Sequence, residues 1–351
     1  MPENKRICLL FSVLFLFGWQ VSEMSLTFII NEVIIRFVRD GILAAALILP
    51  ILAGMGLNFA ITIGAICAQI GFLLVLDRQI GGYSGLLLAT VTALALAVAA
   101  GLLIGWCLNQ LRGKEMIATM MIGFIGTALY QLVFMAGFGT VITPHNPEMI
   151  LSRGVGIRNL VDLAPFRNLV ESIWLIDLGP VQLPLFMILL VLFTCALISY
   201  LTRTRLGRQM RIVGEDPDKA ALLGISPDKI RLLAFLLSTV VASFGQIIFL
   251  QNIGMINVYT AHLNSDIFAA AALLAGGATL RRAGIHNVLL GILLFHGLFI
   301  VSPQAGQKLF GNAALGEYFR SFVAYGTIAA ALLLNIRHAE KQQQPTEKTQ
   351  P

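Results

Sequence analysis

The sequence predicts an all-α, polytopic membrane protein with about ten transmembrane helices. Hydrophobic residues make up 57% of the chain and charged residues only 12%, and the mean hydropathy is +0.84. A soluble domain carries roughly 25% charged residues, because its surface must be hydrated. Here the few charges cluster between long apolar runs, so we expect lipid to cover most of the surface.

The apolar runs are assigned by length, since a bilayer core of about 30 Å takes roughly 20 helical residues. The first run follows a basic start and ends at an interfacial Trp without a clean cleavage site. We therefore expect a retained helix and no cleaved signal peptide. The ten predicted spans are residues 7–22, 41–58, 60–76, 85–108, 116–138, 183–202, 232–251, 266–280, 288–302 and 318–336.

Two neighbouring pairs of spans are unusual. The second and third are separated only by the turn-like GMGLNF, and the short eighth and ninth are split by LRRAGIHN. Short, Gly-interrupted spans are typical of discontinuous helices beside a transport pathway, where freed backbone groups line a polar cavity. Two tight helical hairpins fit the pattern equally well.

Orientation follows from the distribution of Lys and Arg. Ten spans put both termini on one side, and with that side cytoplasmic, 16 of the 24 basic residues lie inside. Because loops rich in Lys and Arg stay in the cytoplasm, we expect a multi-pass protein of the plasma (inner) membrane with cytoplasmic N- and C-termini. The basic pI, near 9.3, is then explained by the Lys and Arg residues of the cytoplasmic loops. The sequence lacks the basic, aromatic-interleaved stripe of a nucleic-acid binder.

One transmembrane domain is predicted over residues 1–337. It has a long cytoplasmic loop at 203–231 and an external loop at 139–182. The external loop is too apolar for a linker, and we expect an ordered cap with a short helix or two, in which Glu148, Arg153, Arg158 and Arg167 could form salt bridges. The polar, Gln- and Pro-rich residues 338–351 are predicted to be a disordered cytoplasmic tail.

Cysteine and histidine give no sign of catalysis or metal binding. Four cysteines stand singly in apolar runs, and five histidines are scattered without ligand spacing. Only His296, within the ninth span, is a candidate for a role in a pathway. An intramembrane enzyme would need a nucleophile or a paired His-Glu or Ser-His set within the spans, and the sequence shows no such set there.

The charged segment GEDPDKAALLGISPDK interrupts this apolar chain at residues 214–229. Asp216 suits an N-cap, Pro217 the first helical position and Gly224 a left-handed C-cap. These residues predict a helix of about two turns, PDKAALL. A helix that short has little stability alone, so it either docks into a partner or lies along the membrane surface.

The same segment carries the strongest family resemblance. GRQMRIVGEDPDKAALLGISPDKIRLLAFLLSTVVASFGQ has a basic start, a Gly-acidic-Asp-Pro turn, an Ala-rich helix, Gly-Ile and a Phe-x-x-Ser helix. Further similar stretches are GLNFAITIGA, KEMIATMMIGFIG and SDIFAAAALLAGGATLRRAGIHNVLLGILLF. The chain resembles permease subunits of ABC importers of the ribose, nucleoside and branched-chain amino-acid type. It departs from that pattern at TLRRAGIHN, where relatives often have more glycines.

The resemblance implies a transporter subunit that is not itself an enzyme. The chain has no G-x-x-x-x-G-K-[ST] motif, so ATP and Mg²⁺ would be bound by a partner ATPase and no cofactor by this chain. Expected partners are that ATPase, a second permease subunit, identical or homologous, an extracytoplasmic substrate-binding protein and the lipid membrane, with no nucleic acid. By family analogy the ATPase contact is made by Asp216, Pro217, Lys219, Ala220, Ala221, Leu223 and Gly224, with Arg208 and Arg211 as rim charges.

Polar side chains within spans cost free energy when they face lipid, so they usually face the interior of the bundle. We therefore expect the solute pathway to lie where such side chains occur. Each could instead form an ordinary interhelical hydrogen bond. Asn58 and Gln246 are the leading candidates, and no charge is expected deep within a span. The candidates are Asn58, Thr62, Gln69, Thr119, Gln131, Ser238, Ser243, Gln246, Asn252 and Asp266.

The lack of a deep charge indicates a neutral or weakly polar solute. A simple sugar such as ribose, or a nucleoside, leads among the solutes, with a branched-chain amino acid or a vitamin as alternatives. Alternating access driven by the partner ATPases would be the mechanism. An ion-coupled secondary transporter is the alternative class, and it should place an ionisable relay at mid-membrane.

Overall fold

A computed structural model describes residues 3–167, 169–179, 181–312, 314–322, 325–326, 328–330 and 333. The predicted tail, 338–351, lies outside the described residues. Residues 314–322 are helical and overlap the start of the last predicted span, 318–336. The other α-helices are α1 (Glu3–Ser22), α2 (Leu26–Ala46), α3 (Ile48–Leu52), α4 (Ile61–Asp77), α5 (Gly82–Gln110), α6 (Glu115–Leu132), α7 (Leu185–Arg203), α8 (Arg205–Glu215), α9 (Pro217–Leu222), α10 (Pro227–Ile253), α11 (Ser265–Ala275), α12 (Ile285–Gly291) and α13 (Gly297–Phe310).

The all-α membrane fold is confirmed. Large apolar side chains on α5 and α6 point away from the protein, as in Leu87 and Phe124, so these helices offer a surface for lipid. The number ten stays a prediction. Five described segments are long and apolar enough to cross a membrane: Gly82–Gln110, Glu115–Gly137, Leu185–Arg203, Pro227–Ile253 and Ile285–Phe310.

The bundle has two distinct ends. We call the end that carries α8 and α9 the coupling end, and the end that carries residues 138–184 the outer end. Helix α10 runs between them and packs against α2, α4 and α5 in the centre of the molecule. At the outer end, the carboxylate of Asp77 accepts hydrogen bonds from the backbone N of His145 at 2.9 Å and of Asn146 at 3.3 Å.

Helix α2 corrects the predicted second span. It begins at Leu26, where the Ser25 side chain accepts a hydrogen bond from Phe28 N, and not at residue 41. Four charged residues between 32 and 40 interrupt the apolar run in the sequence, which is why the helix start was missed. Two of the four, Arg39 and Asp40, have polar partners in the bundle, described below.

The interruption around GMGLNF is present as predicted. The chain leaves the helical path after α3 and resumes it at α4, so residues 53–60 form a break. Gly54 and Gly56 have φ values of +76° and +71°, a conformation that side chains other than Gly rarely adopt. The break therefore sits inside the bundle, with Asn58 buried in it.

The eighth and ninth spans are also interrupted, but their lengths differ from prediction. Helix α11 has only 11 residues, whereas α12, a π-helical turn at Ile292–His296 and α13 continue one another from 285 to 310. Helices α11 and α12 touch backbone to backbone, since a Cβ on Gly276 would lie 1.8 Å from Asn287 O. The Asn287 amide closes the turn by donating to Gly276 O at 2.8 Å.

The outer loop is ordered, but it is built from strands where short helices were expected. β1 (Leu160–Asp162) pairs antiparallel with β4 (Met255–Asn257), and β2 (Leu175–Asp177) with β3 (Gln182–Pro184). Its one described helical element is a 3₁₀ turn at Pro147–Met149. The expected salt bridges of Arg153 and Arg158 are replaced by hydrogen bonds to the carbonyls of Val155 and Ile150.

Candidate functional site

The predicted caps of the short helix α9 are present. The Asp216 side chain accepts hydrogen bonds from the backbone N of Asp218 and of Lys219, both at 3.0 Å, and Pro217 occupies the first turn. Gly224 follows with a φ of +75°. These hydrogen bonds, that of Lys219 N first, hold the pKa of Asp216 below its ordinary value. Local sequence thus fixes α9 without help from a partner.

The faces of α9 differ from the predicted contact set in one respect. Ala220 is fully buried against the protein, so in this conformation it cannot be part of a docking surface. Leu222 and Leu223 are 88% and 69% exposed instead. Leu222 was absent from the predicted contacts. Adjacent exposed leucines on a capped helix outside the lipid-facing bundle form an apolar knob suited to a protein partner.

Helix α8, which the sequence did not predict, ties this knob to the broken helix. A Cβ on Gly214 would lie 2.3 Å from Leu52 O, and one on Gly54 would lie 2.7 Å from Gly214 Cα. The two backbones therefore touch where α3 ends. Helix α8 therefore contacts the start of the 53–60 break directly.

Two ion pairs fasten the start of α10 at the coupling end. Glu115 and Arg231 form a buried pair, with side chains 9% and 5% exposed. Arg112 and Asp228 form an exposed pair beside it. Because a buried charge is costly without its partner, the first pair holds the start of α6 rigidly against α10.

Two of the predicted basic residues have partners within this chain. Arg211, a predicted rim charge, donates to Thr202 O at 2.8 Å, and Lys219, a predicted contact residue, lies 3.1 Å from the Asp216 carboxylate. Both side chains therefore have contacts within this chain.

Asn58, a leading pathway candidate, bridges the break to the bundle. Its amide donates to Ser238 Oγ at 3.2 Å and its oxygen accepts from Ala60 N at 2.9 Å. The Thr119 hydroxyl accepts from Phe59 N at 3.4 Å. In this conformation the candidates Asn58, Thr119 and Ser238 thus make the interhelical hydrogen bonds that were the alternative to a pathway.

Gln69 belongs to a second polar cluster, nearer the outer end. In the amide orientation that satisfies its surroundings, its NH₂ group lies 2.8 Å from the Tyr130 hydroxyl, 3.2 Å from His262 Nδ1 and 3.3 Å from Val258 O. Its oxygen accepts from His262 N at 3.0 Å. The Tyr130 and His262 rings meet edge to face, with centroids 5.1 Å apart. Gln69 therefore connects α4, α6 and the segment after β4.

Gln246, on α10, completes this outer cluster, which consists of Gln69, Tyr130, Gln246 and His262. Its amide donates to Ala261 O at 3.1 Å. Two fully buried polar atoms of the cluster have no partner among the described residues, Gln246 Oε1 and His262 Nε2. Burial lowers the pKa of His262 to about 4, so the imidazole is neutral near pH 7. The cluster is a set of neutral hydrogen-bonding groups.

The other pathway candidates lie apart from both clusters or at their edges. Gln131 donates to Tyr259 O at 3.0 Å, at the edge of the outer cluster. Asn252 accepts from Arg39 Nε at 2.6 Å, and Asp266 accepts from Ile267 N in the first turn of α11. Thr62 bonds to Phe59 O and Ser243 to Ala93 O. The structure therefore places Gln69 and Gln246 against the same segment after β4 and gives Asn252 and Asp266 other partners.

The expectation that no charge lies deep within a span stays a prediction, and a buried carboxylate in α2 bears on it. Asp40 is buried in α2, and its carboxylate lies 3.3 Å from His296 Nε2 in the π-helical turn. The helix start assigned at residue 41 had moved Arg36, Arg39 and Asp40 into an outer loop. His296, the histidine singled out from sequence, is thus part of a buried ionisable pair.

His262 and Tyr130 were missed because their partners are remote in sequence. His262 contacts Gln69 across 193 positions, and neither residue stands in a recognisable spacing. The one signal in the sequence was the position of His262 in the segment between two predicted spans, 232–251 and 266–280.

Comparison with known proteins agrees with this architecture. Residues 29–332 match the family described as "Branched-chain amino acid transport system / permease component". The Autoinducer 2 import system permease protein LsrC of Photorhabdus luminescens is 24% identical over 337 residues, which cover 96% of this chain and 91% of that protein. No solved structure gives a significant match.

Shorter matches join the same group. The high-affinity branched-chain amino acid transport system permease protein LivH of Escherichia coli K12 is 31% identical over 139 residues, 40% of this chain and 41% of LivH. BraD of Pseudomonas aeruginosa, a permease of the same description, is 28% identical over 144 residues, 41% of this chain and 42% of BraD.

A helical bundle with a capped knob at one end and buried polar clusters inside defines a multi-pass membrane permease. The family match covers most of the chain, so the protein belongs to the family of ABC-importer permease subunits. Members of this family are transport components and not catalytic enzymes.

Proposed function

We propose that this chain is the permease subunit of an importer driven by a separate ATPase, and that it carries a small neutral, hydroxyl-bearing solute such as ribose or a nucleoside. The observation that carries the proposal is the α8–α9 unit. Its exposed Leu222 and Leu223 offer a docking knob, and its Gly214 touches the 53–60 break. ATPase closure would press on the knob, and α8 would pass that force to Asn58.

The proposed orientation places the coupling end in the cytoplasm of a cell whose inner membrane holds the protein. The positive-inside bias supports it. The outer end would then face the substrate-binding protein, and a second permease subunit would complete the pathway. Alternating access would expose the outer cluster and the break in turn.

The polarity of the outer cluster supports a neutral solute. A branched-chain amino acid carries a carboxylate and an ammonium group, whose recognition in a buried site calls for charged partners. LivH and BraD, whose names state that they transport such amino acids, match less than half of this chain. Gln69, Tyr130, Gln246 and neutral His262 instead offer hydrogen bonds without charge, as a hydroxyl group requires.

Co-purification from the native membrane tests the docking surface. The double variant Leu222→Glu, Leu223→Glu places two charges on the knob, and because both side chains are exposed, the bundle should fold. We expect a Walker-motif ATPase to accompany the wild type and to be lost from this variant. Leu111→Glu is the matched control, since Leu111 is an exposed leucine of the same end.

Two results would contradict the proposal in different ways. An ATPase that stays bound to the double variant would place the contact elsewhere on the coupling end. If no ATPase accompanies the wild type, the importer function itself fails, and the buried pair of Asp40 and His296 becomes the first place to test for ion coupling.

A further inference from the structure

The segment that covers the outer cluster has the form of a lid between two pivots. Residues 254–264, which we call the outer lid, connect α10 to α11. Gly254 begins the lid with a φ of +74° and Asn264 ends it with a φ of +63°. Hinges are typically a few residues at the ends of elements that absorb a change in backbone angle. The strand β4 within the lid pairs with β1 of the outer loop.

The lid is held from two sides. The outer loop holds it through the β1–β4 pairing, through Val258 N, which donates to Asn159 O at 2.8 Å, and through the Tyr259 hydroxyl, which donates to Ile157 O at 2.8 Å. The outer cluster holds it from the other side. Gln69 bonds to Val258 O and to His262, and Gln246 donates to Ala261 O at 3.1 Å. All are hydrogen bonds between neutral groups. Such bonds have a modest net strength, so a solute that offers equivalent bonds can compete with them.

The two unpartnered atoms have complementary character. The Gln69 NH₂ group lies 3.2 Å from His262 Nδ1, which favours the tautomer with its proton on Nε2. In that tautomer Nε2 is a buried donor without an acceptor among the described residues, where Gln246 Oε1 is likewise a buried acceptor without a donor. Buried polar atoms are nearly always paired in native proteins. A hydroxyl group, which donates and accepts at once, can pair with either atom.

We propose that residues 254–264 are the outer gate of the permease, and that His262 and Gln246 bind hydroxyl groups of the neutral solute when this gate opens. This inference rests on the proposed import function and adds two residues that select the solute. A carboxylate would meet the Gln246 oxygen and gain no cation from the cluster. The site therefore selects hydroxyl over carboxylate.

Cysteine labelling tests the gate without any transport assay. Val258 is fully buried in the lid, so Val258→Cys should react slowly with a membrane-impermeant maleimide added to the outer side. Adding Gln246→Leu removes the tether to Ala261, and we expect labelling to accelerate about fivefold to tenfold. Leu263→Cys, exposed in the same lid, should label rapidly in both backgrounds. The wild-type chain, with its four free cysteines, measures the background.

Uptake kinetics test the selection of the solute. In cells that express the whole importer, we would measure uptake of radiolabelled ribose, with leucine as the charged comparison. We expect His262→Phe and Gln246→Leu each to raise the KM for ribose about tenfold while the ATPase still co-purifies. His262→Gln, which keeps a donor, should recover part of the loss. Thr194→Val is the control, because the buried Thr194 bonds only within its own helix, to Leu190 O.

The possible outcomes separate this inference from the function on which it rests. Ribose uptake with unchanged KM in both variants would overturn the binding role and leave the importer intact. Uptake of leucine and not ribose by the wild type, or of neither probe, would overturn the selection of hydroxyl. Equal labelling of Val258→Cys with and without Gln246→Leu would overturn the gate. Loss of the importer itself is read separately, from the absence of an ATPase with the wild type.

Discussion

The two ends of the molecule are held together by different forces. At the coupling end, two ion pairs connect α10 to its neighbours, and the capped helix α9 presents two exposed leucines, Leu222 and Leu223. At the outer end, the cluster around Gln69 and His262 is neutral, fully buried and only partly satisfied. The first end exposes apolar groups, whereas the second hides polar groups under a lid that the outer loop and the cluster hold by hydrogen bonds between neutral groups.

This difference matches what each end must meet. A protein partner needs a fixed surface, so its contact can be set in advance by caps and ion pairs. A solute must enter and leave, so the groups that bind it cannot be closed by strong bonds of their own. If the comparison is right, substitutions at the coupling end should affect stability and coupling, and those at the outer end should affect affinity.

The largest effect is expected from breaking the buried ion pair. Glu115→Ala leaves the Arg231 guanidinium buried without its partner, which costs about 3–5 kcal/mol of the free energy of unfolding. Unfolding of the purified protein in mixed micelles measures this loss. The matched control is Asp228→Ala at the neighbouring exposed pair, with an expected loss of about 0–1 kcal/mol. Equal losses in the two variants would show that the pair does not stiffen this end.

The next largest effect is expected at the contact between α8 and the break. Gly214→Ala places a Cβ 2.3 Å from Leu52 O, so α8 must move away from α3. We expect uptake to fall about tenfold while the ATPase still co-purifies, because the knob itself is unchanged. In the control Gly105→Ala, the nearest atom to the new Cβ is 3.4 Å away, an ordinary contact with Leu232. Normal uptake by Gly214→Ala would mean that force does not pass through this joint.

How far the sequence could predict each region follows from the range of the contacts. Helix α9 was predicted nearly to the residue, because Asp216, Pro217 and Gly224 fix it through bonds to near neighbours. The glycine-marked break after α3 was predicted for the same reason. The proposed contact surface was less exact, since only the fold shows that Ala220 points inward and Leu222 outward.

The features that the sequence did not predict depend on contacts between residues that are distant in the chain. The start of α2 was missed because its charges look like a loop until Asp40 meets His296 and Arg39 meets Asn252. Gln69 and Gln246 were found as polar residues in spans, but their meeting with His262 depends on how α4, α10 and the lid fold together. Hydropathy locates apolar spans, and it does not show which polar residues share a cluster.

The smallest expected effect concerns the cap of α9, and it separates capping from charge. Asp216→Ala removes the acceptor for the N–H groups of Asp218 and Lys219, so α9 should fray and ATPase binding should weaken severalfold. Asp216→Asn keeps a capping oxygen and should bind nearly as the wild type does. Titration of the permease with purified ATPase measures both variants.

The pH dependence of that binding gives a sharper test of the same cap. Hydrogen bonds to the carboxylate lower the pKa of Asp216, so the capping charge is present above the ordinary carboxyl pKa and is lost only as pH falls through the lowered value. Between pH 8 and pH 5 the wild type and Asp216→Asn should therefore change in parallel. A divergence within that range would show that Asp216 contacts a titrating group of the ATPase, and its role would then be direct contact and not the shaping of α9.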